Sequence, residues 1–341
     1  RGRGRGRGRG RCFWRPSRGA AGRLGLLGLL LLGLFLVLAR PASPWRRPSL
    51  SRPAAQTAFA VGKRVLVTGA GGRTGSLVVE KLMTSGRYDV RALVTSEKSK
   101  AALLRKVPML QDKAVFVGDV TDAETMQRAF AGAFALVCVT SAVPKLKVWS
   151  LFPFLLGKLF GKKRKMRFGW KGGKPEQVDW IGQKNQFDCA KEAKCKKVVL
   201  VGTMTGTEKD SFLNSIGEGE GDQIVMWKRK AEVYLIDLCK SSGMEYTIVH
   251  AGGLSDQPGG QAPVAVGVDD KLREVKPNRR IPRADVAEVC LQSLGCEAAA
   301  NRSFDLTSID AGVALTAGGL EGLLESLEGA NCDYSINPPP P

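Results

Sequence analysis

Glycines at regular spacing follow the first apolar segment of the chain, Arg64 to Thr68. They form the pattern G-x-x-G-x-x-G, in which one glycine makes a tight turn, one lets the backbone approach a pyrophosphate, and one lets a helix pack on a strand. The N-terminus of the helix that follows would face the phosphates. The sequence therefore predicts a dinucleotide-binding turn made by Gly69, Gly71, Gly72, Arg73, Thr74 and Gly75.

The end of the second predicted strand bears on the choice between NAD and NADP. An acid there would hydrogen-bond the ribose diol of NAD, whereas a base would bind the 2′-phosphate of NADP. Thr95 occupies the tip in place of an acid, and Arg73 and Lys98 could supply positive charge. These residues favour NADP(H), with NAD(H) as the alternative.

Later segments are expected to continue the cofactor site. Asp119 and Val120 follow the third predicted strand, where the carboxylate could accept from the adenine amine while the valine packs on the ring. The alternative is an Asx turn leading into the next helix, with Thr121 or Asp122 as its cap. Further cofactor-binding candidates follow two other strands, namely Thr140, Ser141, Ala142, Gly252 and Gly253.

Short apolar runs that alternate with helical patterns would position these residues. Strands rich in Val, Leu and Ile, separated by helices, predict a parallel sheet covered on both faces. The expected fold is a single α/β domain over 63–330, a Rossmann-type doubly wound parallel sheet with a hydrophobic-basic insertion loop. Residues 331–341, which end in four prolines, are predicted to be a disordered tail.

Seven short motifs occur in colinear order: TGAGGRTG (68–75), VFVGDV (115–120), TSAVPK (140–145), PEQVDWIGQKNQ (175–186), WKRKAE (227–232), YTIVHAGGL (246–254) and RADVAEVC (283–290). Together they resemble the atypical short-chain dehydrogenase/reductases, most closely the plant and algal plastid NAD(P)-binding group. The two motifs at 175–186 and 227–232 are more specific than the glycines. The resemblance implies a Rossmann-type sheet and an NADP(H) site and leaves the substrate undefined.

The resemblance also implies catalytic residues, and here the chain departs from the family pattern. Active members of the superfamily carry Tyr-x-x-x-Lys on a helix and a serine at the end of the preceding strand. Lys230 fits the lysine, but Met226 stands four residues before it and Thr203 stands at the serine position. Lys230 and Thr203 are therefore the catalytic candidates. Lys230 is also a cofactor-binding candidate, because it can still bond the nicotinamide ribose, but the usual proton donor is missing. Tyr234 is either a substitute donor or a core tyrosine.

Two arginines that are usual in the group are also replaced. Thr95 stands in the second-strand loop, which weakens the prediction of NADP(H), and His250 stands after the sixth strand. His250 is the one histidine of the chain. It is either a residue beside the site or a strand-end residue whose hydrogen bonds are satisfied.

The net charge of +20 is concentrated in two segments. Residues 1–62 hold thirteen arginines and no acid, and ten bases without an acid lie between Lys145 and Lys174. The remaining body is mildly acidic, which argues against a nucleic-acid-binding domain. RNA binding stays an alternative for the Arg-Gly run over 1–10 alone.

Residues 1–62 have the composition of a low-complexity targeting leader. Leu24 to Ala39 is an uncharged run of sixteen residues, typical of a signal peptide and shorter than the roughly 20 apolar residues of a spanning helix. The segment 40–60 is rich in Arg, Ser, Pro and Ala, which is typical of a transit peptide. A bipartite leader and a destination in the plastid (chloroplast) stroma are predicted, with a membrane anchor at Leu24 to Ala39 as the alternative.

The segment between Lys145 and Lys174 combines apolar and basic residues. Aromatic and leucine side chains over 148–160 precede the basic run 162–165. Such a combination is typical of interfacial membrane segments. Three interpretations stay open: a helical cover, a substrate lid, and peripheral membrane or partner contact through residues 148–167.

The predicted function is that of an NADP(H)-binding oxidoreductase acting on an unknown small carbonyl or conjugated substrate. The alternative is a catalytically weak NAD(P)-binding regulator or assembly factor in the plastid. Seven cysteines of the body are scattered without a C-x-x-C pair, so neither a disulfide framework nor a metal site is expected. The expected partner is a small-molecule substrate and not a nucleic acid.

Overall fold

A computed structural model describes residues 62–150, 168–217, 219–275, 280–310, 315–316 and 318–340, together with the single residues 152, 156 and 160. The predicted leader and most of the insertion loop lie outside this part of the chain. Residues from Ala58 to Pro341 form one compact unit. Among the described helices, none has the length and apolar character needed to cross a membrane.

Apolar, β-branched segments form a central sheet of eight strands. In spatial order the strands are β10, β12, β8, β7, β4, β1, β2 and β3, and all pairs are parallel except β10 with β12. The sheet strands are β1 (Lys63–Thr68), β2 (Tyr88–Val94), β3 (Val115–Val117), β4 (Ala135–Cys138), β7 (Lys197–Thr203), β8 (Glu245–Ala251), β10 (Val264–Gly267) and β12 (Arg302–Ser308).

Helices connect the strands and cover both faces of the sheet. The described helices are α1 (Arg73–Ser85), α2 (Glu97–Lys106), α3 (Ala123–Phe130), α4 (Gly182–Glu192), α5 (Ile224–Ser242), α6 (Leu272–Val275), α7 (Arg283–Ser293) and α8 (Gly319–Glu325). A π-helical turn, Glu176–Ile181, precedes α4. The predicted doubly wound Rossmann-type fold is confirmed.

Alternating side chains of each strand build two separate cores. On one face Val65 and Val67 of β1 pack with apolar residues of α1 and α7. On the other face Leu66 packs with residues of α3, α4 and α5, including the fully buried Phe187. Full burial of one such side chain stabilises the fold by about 1.5–3 kcal/mol. The two cores hold the carboxyl ends of the parallel strands at one edge of the sheet. At this edge β1 lies between β2 and β4, and ligands of this fold bind beside its carboxyl end.

Small strands outside the central sheet were not predicted. β5 (Val143–Leu146) and β6 (Phe168–Lys171) form an antiparallel hairpin from the two flanks of the insertion loop. β9 (Gly253–Ser255) pairs in parallel with β11 (Arg280–Pro282). The strands of both pairs, like β10, are only three or four residues long, and they lie in segments that the regular alternation of strands and helices leaves as loops. Val148 and Trp149 beyond β5 are exposed.

The C-terminal segment differs from the disordered tail predicted over 331–341. Residues 331–340 are described, and the Arg229 guanidinium donates to the backbone carbonyls of Asp333, Ile336 and Asn337 at 2.7–3.1 Å. The same guanidinium lies 4.7 Å from the ring centroid of Tyr334. The composition of the segment does not show this contact, because its partner lies on a distant helix.

Candidate functional site

The predicted glycine turn joins β1 to α1 and has almost no free space. Gly69 has a φ of +68°, and a Cβ on it would lie 2.7 Å from the carbonyl oxygen of Val139. A Cβ on Gly75 would lie 2.2 Å from the carbonyl oxygen of Gly69. The amide of Gly72 donates to that same carbonyl at 2.9 Å. These close approaches require glycine. The turn lies at the carboxyl end of β1, between β2 and β4, where ligands bind in this fold.

The first turn of α1 suits an anion. Its N-cap is Gly72, which offers no side-chain cap, and there is no acidic residue in the first turn. The first amides of a helix have no acceptor within the helix and carry the positive end of its dipole. The N-terminus of α1 is therefore able to bind the pyrophosphate of a dinucleotide.

Arg73, at the start of α1, is exposed and held by an acid. Its guanidinium lies 2.9 Å from Asp256, which also accepts from Arg283 at 2.6 Å. Thr95 and Lys98 are exposed at the carboxyl end of β2, beside Ser96, whose hydroxyl caps α2 by accepting from the amide of Ser99. The guanidinium of Arg73 follows β1, and the exposed side chain of Lys98 follows β2.

The third strand ends in a turn built by Asp119. Its carboxylate accepts from the amide and hydroxyl of Thr121 at 2.9 and 2.8 Å, and Asp122 caps α3. The predicted Asx turn is thus formed. Val120 is buried, and the amide nitrogen of the Asn185 side chain donates to its carbonyl.

The end of β4 is anchored by polar residues of the helical segment 176–192. Gln183 donates to the carbonyl of the buried Thr140, and Gln186 donates to its hydroxyl, each at 3.2 Å. The amide of Ala142 donates to Asp179 at 3.0 Å. Ser141 lies between them and is exposed. The three predicted residues of this strand end are therefore held rigidly, with Ser141 facing solvent.

A buried ion pair joins this strand end to α5. Lys228 Nζ lies 2.8 Å from Asp179 Oδ1, and the two side chains are 8% and 0% exposed. Asp179 belongs to the π-helical turn, a distortion that is frequent at functional sites. Lys228 also acts on the Cys138 thiol of β4, whose pKa is raised by burial and lowered in smaller part by Thr140 and Lys228. An ammonium group therefore lies at the carboxyl end of β4.

Lys230, the lysine predicted to act in the site, points elsewhere. Its ammonium lies 5.0 Å from the ring centroid of Trp180 and 5.8 Å from that of Trp227. Two residues along a helix turn the side chain by about 200°, so Lys228 and Lys230 cannot share a face. The ammonium that lies at this strand end is that of Lys228, a residue that the sequence reasoning did not single out. The signal was available, because Lys228 falls on the buried stripe with Ile224, Val225, Ala231 and Leu235.

Tyr234 is not a substitute proton donor. Its hydroxyl donates to Asp188, and its ring packs edge-on against Trp180 with centroids 5.8 Å apart. Burial and the neighbouring Asp188 raise the pKa of the Tyr234 hydroxyl. Tyr234 is therefore the core tyrosine of the two predicted alternatives.

The remaining predicted residues lie at the ends of β7 and β8. Thr203 is the last residue of β7, is half-buried, and stands beside Ala251 in the parallel register. Gly252 is buried and donates to the carbonyl of Leu306, while Gly253 begins β9 and is exposed. Thr203 thus shares the carboxyl edge of the sheet with Thr140 and Ala142, whereas Gly252 and Gly253 continue that edge toward β9.

His250 is buried within a cluster of polar side chains on the α5 side of the sheet. Its Nε2 lies 3.1 Å from Glu232, and its Nδ1 lies 3.4 Å from both Asp305 and the Cys332 thiol. Burial alone would lower the pKa of His250, yet Glu232 and the other neighbours raise it well above its ordinary value. His250 is therefore a strand-end residue whose polar atoms all have neighbours.

Comparison with known proteins supports the dinucleotide site. A protein-family profile described as NAD(P)H-binding matches residues 69–297, from the first glycine of the turn to the end of α7 and beyond. The chain belongs to this NAD(P)H-binding family. A nicotinamide dinucleotide is accordingly the cofactor class of this family member.

Two plant proteins are similar over most of their length. The family member is 46% identical over 264 residues to an uncharacterized chloroplastic protein of Arabidopsis thaliana, covering 77% of this chain and 74% of the relative. It is 42% identical over 260 residues to sanguinarine reductase of Eschscholzia californica, covering 73% and 90%. The predicted resemblance to the plastid group of atypical short-chain dehydrogenase/reductases is confirmed.

Solved structures agree on the fold. An oxidoreductase of Lactococcus lactis superposes with a TM-score of 0.52 at 18% identity, covering 79% of this chain and 98% of the other. At 18% identity, the superposition shows only that the two proteins share the Rossmann-type architecture.

Proposed function

We propose that this family member is a plastid NADP(H)-dependent reductase of a small carbonyl or conjugated substrate. The observation that carries the proposal is the Lys228–Asp179 pair, which fixes a buried ammonium at the strand end that holds Thr140, Ser141 and Ala142. In a Rossmann-type site the nicotinamide half of the cofactor runs past this strand end.

The residues of the glycine turn would hold the pyrophosphate. The space that a Cβ would fill at Gly69 and Gly75 is taken by backbone, and the N-terminus of α1 has neither a side-chain cap nor an acid. Arg73 and Lys98 would bind the 2′-phosphate that distinguishes NADP from NAD, Arg73 by exchanging its exposed contact with Asp256. These residues fit a dinucleotide and favour the phosphorylated one.

The side chains at the strand ends would orient the reacting groups. The bound nicotinamide would supply the hydride. Lys228 would hydrogen-bond the nicotinamide ribose while Asp179 fixes its ammonium, and the Thr203 hydroxyl would hydrogen-bond the substrate oxygen. Counted from Lys228, the usual tyrosine position is taken by Ile224, so water would supply the proton.

The relatives support the reaction and the compartment. A 42% identical protein is named as the reductase of sanguinarine, and a 46% identical one is named as chloroplastic. Import into the stroma through the leader at 1–62 accords with the second name. No observation on the described residues favours the regulator alternative. Membrane contact through residues 148–167 stays a prediction, because most of that segment lies outside the described part of the chain.

The cofactor preference is tested by titrating the purified protein with NADPH and NADH and following the quenching of tryptophan fluorescence. We expect NADPH to bind more tightly, and Arg73→Ala and Lys98→Ala to weaken NADPH binding but leave NADH binding unchanged. Arg128→Ala, on α3, serves as the surface control. Tighter binding of NADH by the wild type would overturn the NADP assignment.

The reaction is tested with a panel of quinones, aldehydes, enones and sanguinarine. We expect NADPH oxidation that depends on at least one compound and that falls in Thr203→Val. If NADPH binds and no member of the panel is reduced, the reductase proposal fails and a cofactor-binding protein remains.

A further inference from the structure

We propose that His250, Asp305 and Cys332 form a binding site for a zinc-type divalent metal ion. The sequence predicts no metal site, because its cysteines are scattered and its single histidine has no partner at ligand spacing. The fold brings three ligand types together from β8, β12 and the C-terminal segment, with their ligand atoms within 4.8 Å of one another. All three residues are buried.

The distances from His250 Nδ1 are compatible with a metal site, and the one to Asp305 is long for a hydrogen bond. His250 Nδ1 faces both Asp305 Oδ1 and Cys332 Sγ at 3.4 Å. A ring nitrogen has one proton or one lone pair, and a good N–H···O bond measures about 2.7–3.2 Å. Tetrahedral zinc with ordinary bond lengths separates its nitrogen and oxygen ligands by about 3.4 Å and its nitrogen and sulfur ligands by about 3.6 Å. The two distances from His250 Nδ1 are therefore close to those of a tetrahedral zinc site.

Each ligand is supported by a second contact that orients it. Glu232 lies 3.1 Å from His250 Nε2, so Nε2–H can donate to the carboxylate and leave the Nδ1 lone pair for a metal. The amide of Asp270 donates to Asp305 Oδ2 at 2.7 Å, and the amide of Cys332 donates to Ser303 at 3.1 Å. Outer contacts of this kind are regular features of metal sites.

The surroundings supply charge and a fourth ligand. The carboxylates of Glu232, Asp270 and Asp305 are buried together, while the Arg229 guanidinium nearby is engaged with carbonyls of the C-terminal segment. A cavity of about 10 Å³ adjoins the cluster, which is room for one water molecule. Nitrogen and sulfur ligands select zinc over magnesium or calcium.

Binding would join the C-terminal segment to the sheet. The metal ion would replace a proton on His250 Nδ1 and the proton of the Cys332 thiol, both released to solvent. Because Cys332 follows α8 while the other ligands lie on central strands, the ion would link residues that are far apart in the sequence. The cluster shares no residue with the proposed cofactor site, so zinc binding and NADPH binding can be measured independently.

The test uses the full-length protein purified without a polyhistidine tag, stripped with a chelator, equilibrated with zinc chloride and gel-filtered. Mass spectrometry of the metal content should give about one zinc ion per chain. Cobalt(II) loaded in place of zinc should show a thiolate-to-cobalt charge-transfer band and the strong visible bands of tetrahedral cobalt. This measurement needs no variant, and either a metal-free protein or bound cobalt without the thiolate band would overturn the proposal.

Variants then locate the ion. Cys332→Ser should abolish the charge-transfer band, while Cys296→Ser, at a half-buried cysteine outside the cluster, should keep it. Glu232→Gln should keep the band but weaken cobalt binding about 10- to 100-fold, as loss of an outer contact does. Retention of the band in Cys332→Ser, or its loss in Cys296→Ser, would contradict the assignment.

Discussion

The carboxyl edge of the sheet has two regions, one formed by backbone atoms and the other by charged side chains. Around α1 the site is made of backbone: glycines that touch carbonyl oxygens and a helix N-terminus with no cap. Around α5 it is made of charged side chains that are buried and paired, Lys228 with Asp179 and His250 with Glu232. The first region is shaped for a ligand, whereas the second is held together by its own charges.

The two regions should respond differently to substitution. The glycine turn should lose its ligand affinity when a side chain is added, because the surrounding backbone leaves no space for it. A buried ion pair fails when one partner is removed, because the other is left charged in a medium that solvates it poorly.

Lys228→Met should be the most damaging single change. It leaves the Asp179 carboxylate, which is 0% exposed, without its ion partner. Loss of one member of a buried pair costs about 3–5 kcal/mol in the free energy of unfolding. Urea denaturation followed by circular dichroism measures this loss.

The double variant Asp179→Leu/Lys228→Met is the matched control. It removes both charges and should recover most of the stability that Lys228→Met loses. If Lys228→Met alone unfolds at the same urea concentration as the wild type, the ion pair does not hold the α5 region together.

Gly75→Ala should disable the α1 region without removing any contact. The new Cβ would lie 2.2 Å from the carbonyl oxygen of Gly69, so the turn must shift. The shift would move the amides at the start of α1 away from the pyrophosphate, and we expect NADPH affinity to fall roughly 100-fold, a loss of about 2.8 kcal/mol in binding free energy. Gly322→Ala in α8, where a Cβ meets nothing within 4 Å, should bind NADPH like the wild type. Equal affinities in the two variants would break the comparison.

Ser96→Ala should have a smaller and more local effect. The hydroxyl of Ser96 caps α2 by accepting from the amide of Ser99 at 3.2 Å. Loss of such a cap costs about 1 kcal/mol in the free energy of unfolding. Ser326→Ala, where the hydroxyl only donates to a carbonyl near the end of α8, should stay within about 0.5 kcal/mol. Thermal denaturation of both variants checks the difference.

Lys230→Met should have the smallest effect on stability. Its ammonium lies over tryptophan rings on a half-buried face, an interaction worth about 0.5–1 kcal/mol. If urea denaturation shows that Lys230→Met lowers the free energy of unfolding as much as Lys228→Met does, the assignment of the two lysines is wrong.

The sequence allows the α1 region to be predicted because its determinants are local. The glycines, the strand before them and the helix after them lie within about twenty residues. The glycines stand where the backbone must turn tightly or approach other atoms closely. The order of strands and helices follows from the apolar periodicity in the same way. Short strands that lie outside this order, such as β9 and β11, carry too little periodicity of their own to be found.

The α5 region could be predicted only in part because its partners are distant. The motifs at 175–186 and 227–232 contain Asp179 and Lys228, but no spacing shows that these two residues meet. Lys228 and Lys230 are only two positions apart, about half a helical turn, and the motif spacing led to Lys230. The cluster of Glu232, His250, Asp305 and Cys332 comes from four segments, and the ordered C-terminal segment depends on Arg229.

The dissociation constant of NADPH in Lys228→Arg and Lys230→Arg tests the central claim most directly. Both changes keep the charge, and arginine at 228 can still pair with Asp179, so the fold should survive while the contact to the ribose is lost. A hydrogen bond to a charged group contributes about 1.5–3 kcal/mol, so Lys228→Arg should bind NADPH roughly 10- to 100-fold more weakly. Lys230→Arg should bind it as tightly as the wild type. Unchanged binding in Lys228→Arg, or weakened binding in Lys230→Arg, would contradict the account.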